Sequence, residues 1–321
     1  MGGVTGTVVG CIVLIAALAG TSAKAQDIDA TLRACLVRAT SKEMMDRRFE
    51  SCSAFIEQAS GSPAKRAIAF ASRGWVQVTR RDYPKAIADF DSALSLNSNF
   101  DWALAGRAVA FLNSRQSERA IPDFDRVIAM HPSSPQLYIG RGDAYNNLKQ
   151  YDRGIADFDR ALALDPNNDE AMNDRAWALA RKGQYAEAIQ GYDAAFMVAT
   201  GRRALVLGNR CETKAMAGQI DAALADCEAA LEIEPGNSSY LFSRGFANLM
   251  GERFVTAIAD YDAALAADPK NAFALYGRGV ARLWLGQSAS GRDDIAAAAQ
   301  IRPGIREDMS ALGVKLPGDP R

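Results

Sequence analysis

The chain is short of the residues that most enzymes use for catalysis. It has a single histidine, His131, among 321 residues, which leaves no room for a histidine-based metal site or a Ser–His–Asp relay. No nucleophile elbow, glycine-rich phosphate loop or H-E-x-x-H segment occurs. Cysteine is scarce, five in all, and no two stand in a C-x-x-C pair, so a dithiol redox centre is excluded. Net charge is −1, with no excess of one sign to attract nucleic acid or an anionic membrane. Gly and Pro are too few for a disordered chain, and an apolar content of 49% is ample for a core. These absences lead us to expect a non-enzymatic protein with no catalytic residues, metal or cofactor.

The one long apolar run lies at the start. Val8 to Ala19 is followed by small residues and Ala23-Lys24-Ala25, so residues 1–25 read as a secretory signal peptide, although a basic leader segment is missing. An uncleaved anchor competes with that reading, but the run is short for a membrane span. Cleavage would remove Cys11 and leave Cys35, Cys52, Cys211 and Cys227. An even count in an exported chain favours disulfides. Cys211 and Cys227 straddle the turn at Gly218-Gln219-Ile220, and Cys35 and Cys52 straddle that at Thr40-Ser41-Lys42. Antiparallel helices would bring each pair level. Two bridges are therefore expected, each worth about 3 kcal/mol in the chain-entropy model. Buried thiols without a bridge are the alternative for Cys211 and Cys227, since both occupy core positions.

From Ala67 onward one unit recurs. Small residues at Ala86, Ala120, Gly154, Ala188, Ala223, Ala257 and Gly291 are 34 residues apart, save one interval of 35. Four residues later stand Phe90, Phe124, Phe158, Tyr192, Cys227, Tyr261 and Ile295. Within each unit a second small residue comes first, at Gly74, Ala108, Gly142, Ala176, Cys211, Gly245 and Gly279. Helix-ending prolines follow at Pro132, Pro166, Pro235, Pro269 and Pro303. Apolar residues recur at helical spacing around a short polar turn, which predicts a helical hairpin that needs like neighbours to bury its face. Glycines at Gly183, Gly218, Gly251 and Gly286 suit the ends of first helices.

This pattern resembles the tetratricopeptide repeat family, a 34-residue helix–turn–helix. The resemblance covers residues 67–303. It implies an all-α, right-handed superhelical solenoid of seven repeats, with capping helices at its ends. Residues 26–66 would form an N-terminal hairpin cap, and residues 304–321 a short capping helix and tail. The large aromatic near the start of each repeat is mostly replaced, as by Leu104, Leu241 and Leu275. Repeat four ends at Ala199-Thr200-Gly201-Arg202 without proline, and one extra residue precedes repeat five, so a local irregularity is expected there.

An arginine precedes the small residue of every first helix: Arg73, Arg107, Arg141, Arg175, Arg210, Arg244 and Arg278. Acids match them in the second helices, at Asp89, Asp123, Asp157, Asp226, Asp260 and Asp294, with Gly191 as the exception. The ladder could line a groove for an anionic polymer, but six matching acids favour structural Arg–Asp pairs. Arg175 would then be the one left for a ligand.

The family resemblance implies partner binding on a concave face, at the second, fifth, ninth, twelfth and thirteenth places of each repeat. Those places and the ladder nominate Trp75, Trp102, Asp143, Asn146, Asn147, Asn173, Arg175, Trp177, Phe242, Phe246 and Tyr276. Asparagines suit an extended peptide backbone, and aromatics suit anchors. The lysines used by relatives that clamp a terminal carboxylate are absent. The expectation is an exported, periplasmic or secreted scaffold binding a protein or peptide in cell-envelope assembly. No nucleic acid, no membrane span after cleavage and no particular oligomeric state are implied. An envelope glycan-binding or polysaccharide-export role is the alternative.

Overall fold

A computed structural model describes residues 30–58 and 62–319, so the expected signal peptide lies outside the described residues. Those residues form seventeen α-helices and no strand. They divide into two compact units, one ending at Pro166 and one beginning at Asn167.

The first unit opens with a hairpin of α1 (Ala30–Leu36) and α2 (Lys42–Glu57). Ser41 caps α2 by accepting the Met44 N–H, as its place before the second helix predicts. Cys35 and Cys52 are joined, with Cα atoms 4.7 Å apart. Three helix pairs follow: α3 (Pro63–Thr79) with α4 (Tyr83–Leu96), α5 (Asp101–Asn113) with α6 (Ser117–Met130), and α7 (Pro135–Asn147) with α8 (Tyr151–Leu164). Pro122 is the sixth residue of α6, close enough to its start that the helix gives up only one early ladder bond.

The second unit has four pairs and a cap. These are α9 (Asp169–Arg181) with α10 (Tyr185–Val198), α11 (Arg203–Met216) with α12 (Ile220–Ile233), α13 (Ser238–Met250) with α14 (Phe254–Ala267), and α15 (Ala272–Trp284) with α16 (Ser288–Ile301). Cys211 in α11 and Cys227 in α12 are joined, Cα atoms 5.5 Å apart, level across their hairpin. The short α17 (Ile305–Ala311) packs Ile305 and Met309 onto the last pair. The extra residue before repeat five does not break the array: α11 is 14 residues long where α9 and α13 are 13.

Large rings and glycines set the spacing within each unit. Phe90 lies between Gly74 of its own hairpin and Gly106 of the next first helix; a Cβ on Gly106 would come within 2.3 Å of the ring. Tyr261 sits in the same way between Gly245 and Gly277. Close helix approach thus depends on having no side chain opposite the aromatic.

The turn between the helices of a pair uses one left-handed residue, at Gly183, Gly218 and Gly286 as expected. In repeat six that residue is Glu252, with φ 55°, and not Gly251. Gly251 lies one residue early, with an ordinary backbone, and a Cβ there would press on Ile220. Its demand for glycine is a packing demand, which the sequence motif had presented as a conformational one.

Candidate binding face

Within each unit the first helices of neighbouring pairs also touch one another: α3 with α5 and α5 with α7, then α9 with α11, α11 with α13 and α13 with α15. This row of first helices carries every residue nominated as a binding position.

The arginine ladder is structural. Arg141 donates from Nε to Asp157 Oδ2 at 2.8 Å and from Nη2 to Oδ1 at 2.7 Å. The same two-bond fork joins Arg73 to Asp89, Arg107 to Asp123, Arg210 to Asp226 and Arg278 to Asp294, while Arg244 places both donors on one oxygen of Asp260. A second acid, two residues beyond the first, was not anticipated. Asp91, Asp125, Asp193 and Asp262 each accept from the arginine of the following repeat. One guanidinium therefore ties its own hairpin together and staples it to the previous one. Hydrogen bonding by these carboxylates holds Arg107 and Arg141 above the usual guanidinium range. Arg175 is not left over: it is half-buried and has a partner despite Gly191.

Several nominated anchors are core residues in this structure. Trp75, Trp102, Phe246 and Tyr276 are buried, which corrects the expectation that they stand open on a groove. Periodicity places a residue on the first helix, but the neighbouring repeat decides whether it is covered. Trp75 packs edge-on against Phe90, and Phe246 stacks with the half-buried Phe242. Phe242 also meets Tyr261 and Phe273 and so belongs to the same aromatic cluster. Asp143 is buried and partnered. Asn146 is buried with no donor to its Oδ1, and the indole N–H groups of Trp75 and Trp102 have no acceptor. Asn147 is exposed and donates to Ser117 Oγ at 3.3 Å. Trp177 is half-buried, with the Arg181 guanidinium 5.7 Å from its ring centre.

Asn173 leads to a cluster that the nominated set only grazed. Its Nδ2 donates to Asp174 Oδ1, and its Oδ1 accepts from Asn209 Nδ2, both at 3.0 Å. Arg202, on the connection into α11, donates to Glu170 Oε2 at 2.9 Å and has Nε 3.8 Å from Asp169. Glu170 Oε1 is buried with no donor. Burial, reinforced by the Glu170 charge, pushes the Asp174 carboxyl up to about 8, against the pull of the Asn173 amide and Arg202. The sequence did hold a signal for Asp174 and Asn209. Both occupy the sixth place of their repeats, where Gly106, Gly140 and Gly277 stand in others. Among the described residues no group of three or more His, Cys, Asp or Glu could hold a metal ion, and no helix is long and apolar enough to cross a membrane.

Comparison with known proteins agrees with this architecture. Models of the tetratricopeptide repeat match residues 105–169 and 216–272, and a second such model matches residues 158–190. A tetratricopeptide repeat protein from Parabacteroides merdae superposes with a TM-score of 0.63 at 19% identity, over 80% of this chain and 93% of that one. PilW, described as a widely conserved type IV pilus biogenesis factor, gives 0.55 at 18% identity, over 63% and 94%. The human IFIT1 dimer with m7Gppp-AAAA gives 0.58 at 15% identity, over 84% and 68%. No curated protein sequence matches the chain significantly. The chain is an all-α array of stacked helix pairs and belongs to the tetratricopeptide repeat family.

Proposed function

We propose that the chain is an interaction scaffold that takes up a peptide or protein partner along its first helices. One observation carries this reading. The arginine ladder is satisfied within the fold, whereas Asn146 in the first unit and Glu170 in the second each carry, on a first helix, a buried oxygen with no donor. Buried groups without partners are costly, and a ligand that supplies the missing donors and acceptors recovers that cost. No residue takes a catalytic role in this reading, and no cofactor is needed.

Export to the periplasm or beyond fits the leader-like residues 1–25 and the two cysteine pairs, which persist best in an oxidising compartment. The likeness to PilW is in keeping with an envelope-assembly role for an exported scaffold. A glycan ligand is less well served, because Trp75 and Trp102 are buried and Trp177 is already engaged. The near-neutral charge speaks against a nucleic acid partner.

Crosslinking and affinity capture with residues 26–321 test the reading. Wild type is compared with an Asn147→Arg, Trp177→Ala variant, chosen because Phe246 is a core residue whose loss would confound the result. Loss of specific partners from the variant, with its melting curve unchanged, supports the proposal. Identical partner lists would end it.

A further inference from the structure

The cluster on α9 and α11 is short of donors and of positive charge. Three carboxyl groups, Asp169, Glu170 and Asp174, share the single guanidinium of Arg202. Arg202 occupies Glu170 Oε2, and the other oxygen of that side chain has no donor, although the residue is only 4% exposed. The two amides give no further help. Asn209 donates to Asn173 and Asn173 to Asp174, an oriented chain that ends on a carboxyl. Asp169 and Arg202, at the edge of the cluster, keep about a quarter of their side-chain surface open, at 25% and 28%. A ligand that completes it must bring N–H donors together with a positive charge.

We propose that Glu170, Asn173, Asp174 and Asn209 form a receptor for a primary ammonium group, carried by a peptide partner as a lysine side chain or a free amino terminus. An ammonium is compact, carries three donors and accepts nothing, which is the complement of this site. The inference rests on the peptide-binding reading given above and names the chemistry of one contact within it. The groups around Asp174 are Asp169, Glu170 and Asn173 on α9, Tyr192 on α10 and Arg202 before α11, with Asn209 on α11 linked to it through Asn173. Because the free protein holds Asp174 neutral near pH 7, an incoming ammonium draws it into the ionised form. The displaced proton passes to buffer, so affinity rises with pH until Asp174 is ionised in the free protein as well.

The test uses residues 26–321 and three capped probes at millimolar concentration: acetyl-Gly-Lys-Gly-amide, Gly-Gly-Gly-amide with a free amino terminus, and the first peptide with its lysine acetylated. Side-chain amide NMR signals of Asn173 and Asn209 report occupancy, and calorimetry in two buffers of different ionisation enthalpy reports proton release. Binding of either amine probe, absence of the acetylated one, and release of up to one proton per ligand at pH 7 are expected. The first two probes separate lysine from terminus. Asp174→Asn matches the neutral carboxyl in shape and so keeps the fold; it should weaken binding at least tenfold and abolish proton release. Equal binding of the acetylated probe, or undiminished binding by Asp174→Asn, overturns the assignment, as does the absence of any binding. If Asp174→Asn retains every crosslinked partner while the Asn147→Arg, Trp177→Ala variant loses them, only the ammonium assignment fails. If neither loses any, the scaffold reading fails with it.

Discussion

Asp226 and Asp174 are both 6% exposed, and both belong to helices of the second unit. Asp226 receives a two-bond fork from Arg210, at 2.7 and 2.6 Å, and the ammonium of Lys214 at 2.7 Å. Asp174 receives one amide and faces the Glu170 charge. Equal burial thus hides opposite electrostatic situations. A buried carboxylate with charge-assisted bonds holds the fold together, while one without them is kept neutral at a cost. The contrast separates scaffold from candidate site more cleanly than exposure or residue type does.

The comparison can be broken first at the scaffold. Arg141→Ala strands Asp157, a buried acid that the Arg141 fork neutralises, and should lower stability by about 3 kcal/mol or more in denaturant titration. A loss of only a few tenths, as for an exposed ion pair, would demote the ladder to surface decoration. The double change Cys211→Ala, Cys227→Ala should cost about 3 kcal/mol in oxidised protein. Four free thiols in denatured, unreduced residues 26–321 would remove the bridges from the account. Gly277→Ala, whose Cβ would come 2.4 Å from the Tyr261 ring, should cost about 2 kcal/mol, and a neutral outcome would mean the helices can slide apart.

The smallest expected effect has the opposite sign. Asp174 carries a raised pKa in the folded protein, to about 8, while the unfolded chain ionises near the usual carboxylate value. The folded state therefore binds more protons through that window. Wild-type stability should fall as pH rises from about 4 to 8, and the Asn side chain removes this loss. Asp174→Asn should stabilise the protein by about 1 kcal/mol or more at pH 8 and by little at pH 4. Melting curves at the two pH values decide it; destabilisation at pH 8 would mean that Asp174 belongs to the scaffold after all.

Much of this was legible in the chain. The period of 34 located every hairpin from α3 to α16, and the six Arg–Asp pairs followed from acids matching arginines across a hairpin. The level placement of Cys35 with Cys52 and of Cys211 with Cys227 followed from their turns. The role of the second acids at Asp91, Asp125, Asp193 and Asp262 was not legible, because they act between repeats and not within one hairpin. The burial of Trp75, Trp102, Phe246 and Tyr276 went unread for a similar reason, since what covers a side chain on one first helix belongs to other helices.

What the sequence determined by itself is what the repeats do alike: form two helices, turn once and, in most of them, fork an arginine onto an acid, with a ring seated on a glycine in several. Such demands recur at a fixed interval, so they stand out without coordinates. What only the tertiary structure decided is how the exceptions are compensated. Asp174 and Asn209 replace glycine at one place in two adjacent repeats, and neither residue's surroundings can be inferred from its own repeat. Their hydrogen bonds, the missing donor to Glu170 and the neutral Asp174 carboxyl arise from side chains meeting across α9, α11 and the connection between α10 and α11. A one-time meeting of unlike residues leaves no periodic trace, and electrostatic cost depends on distances that only packing sets.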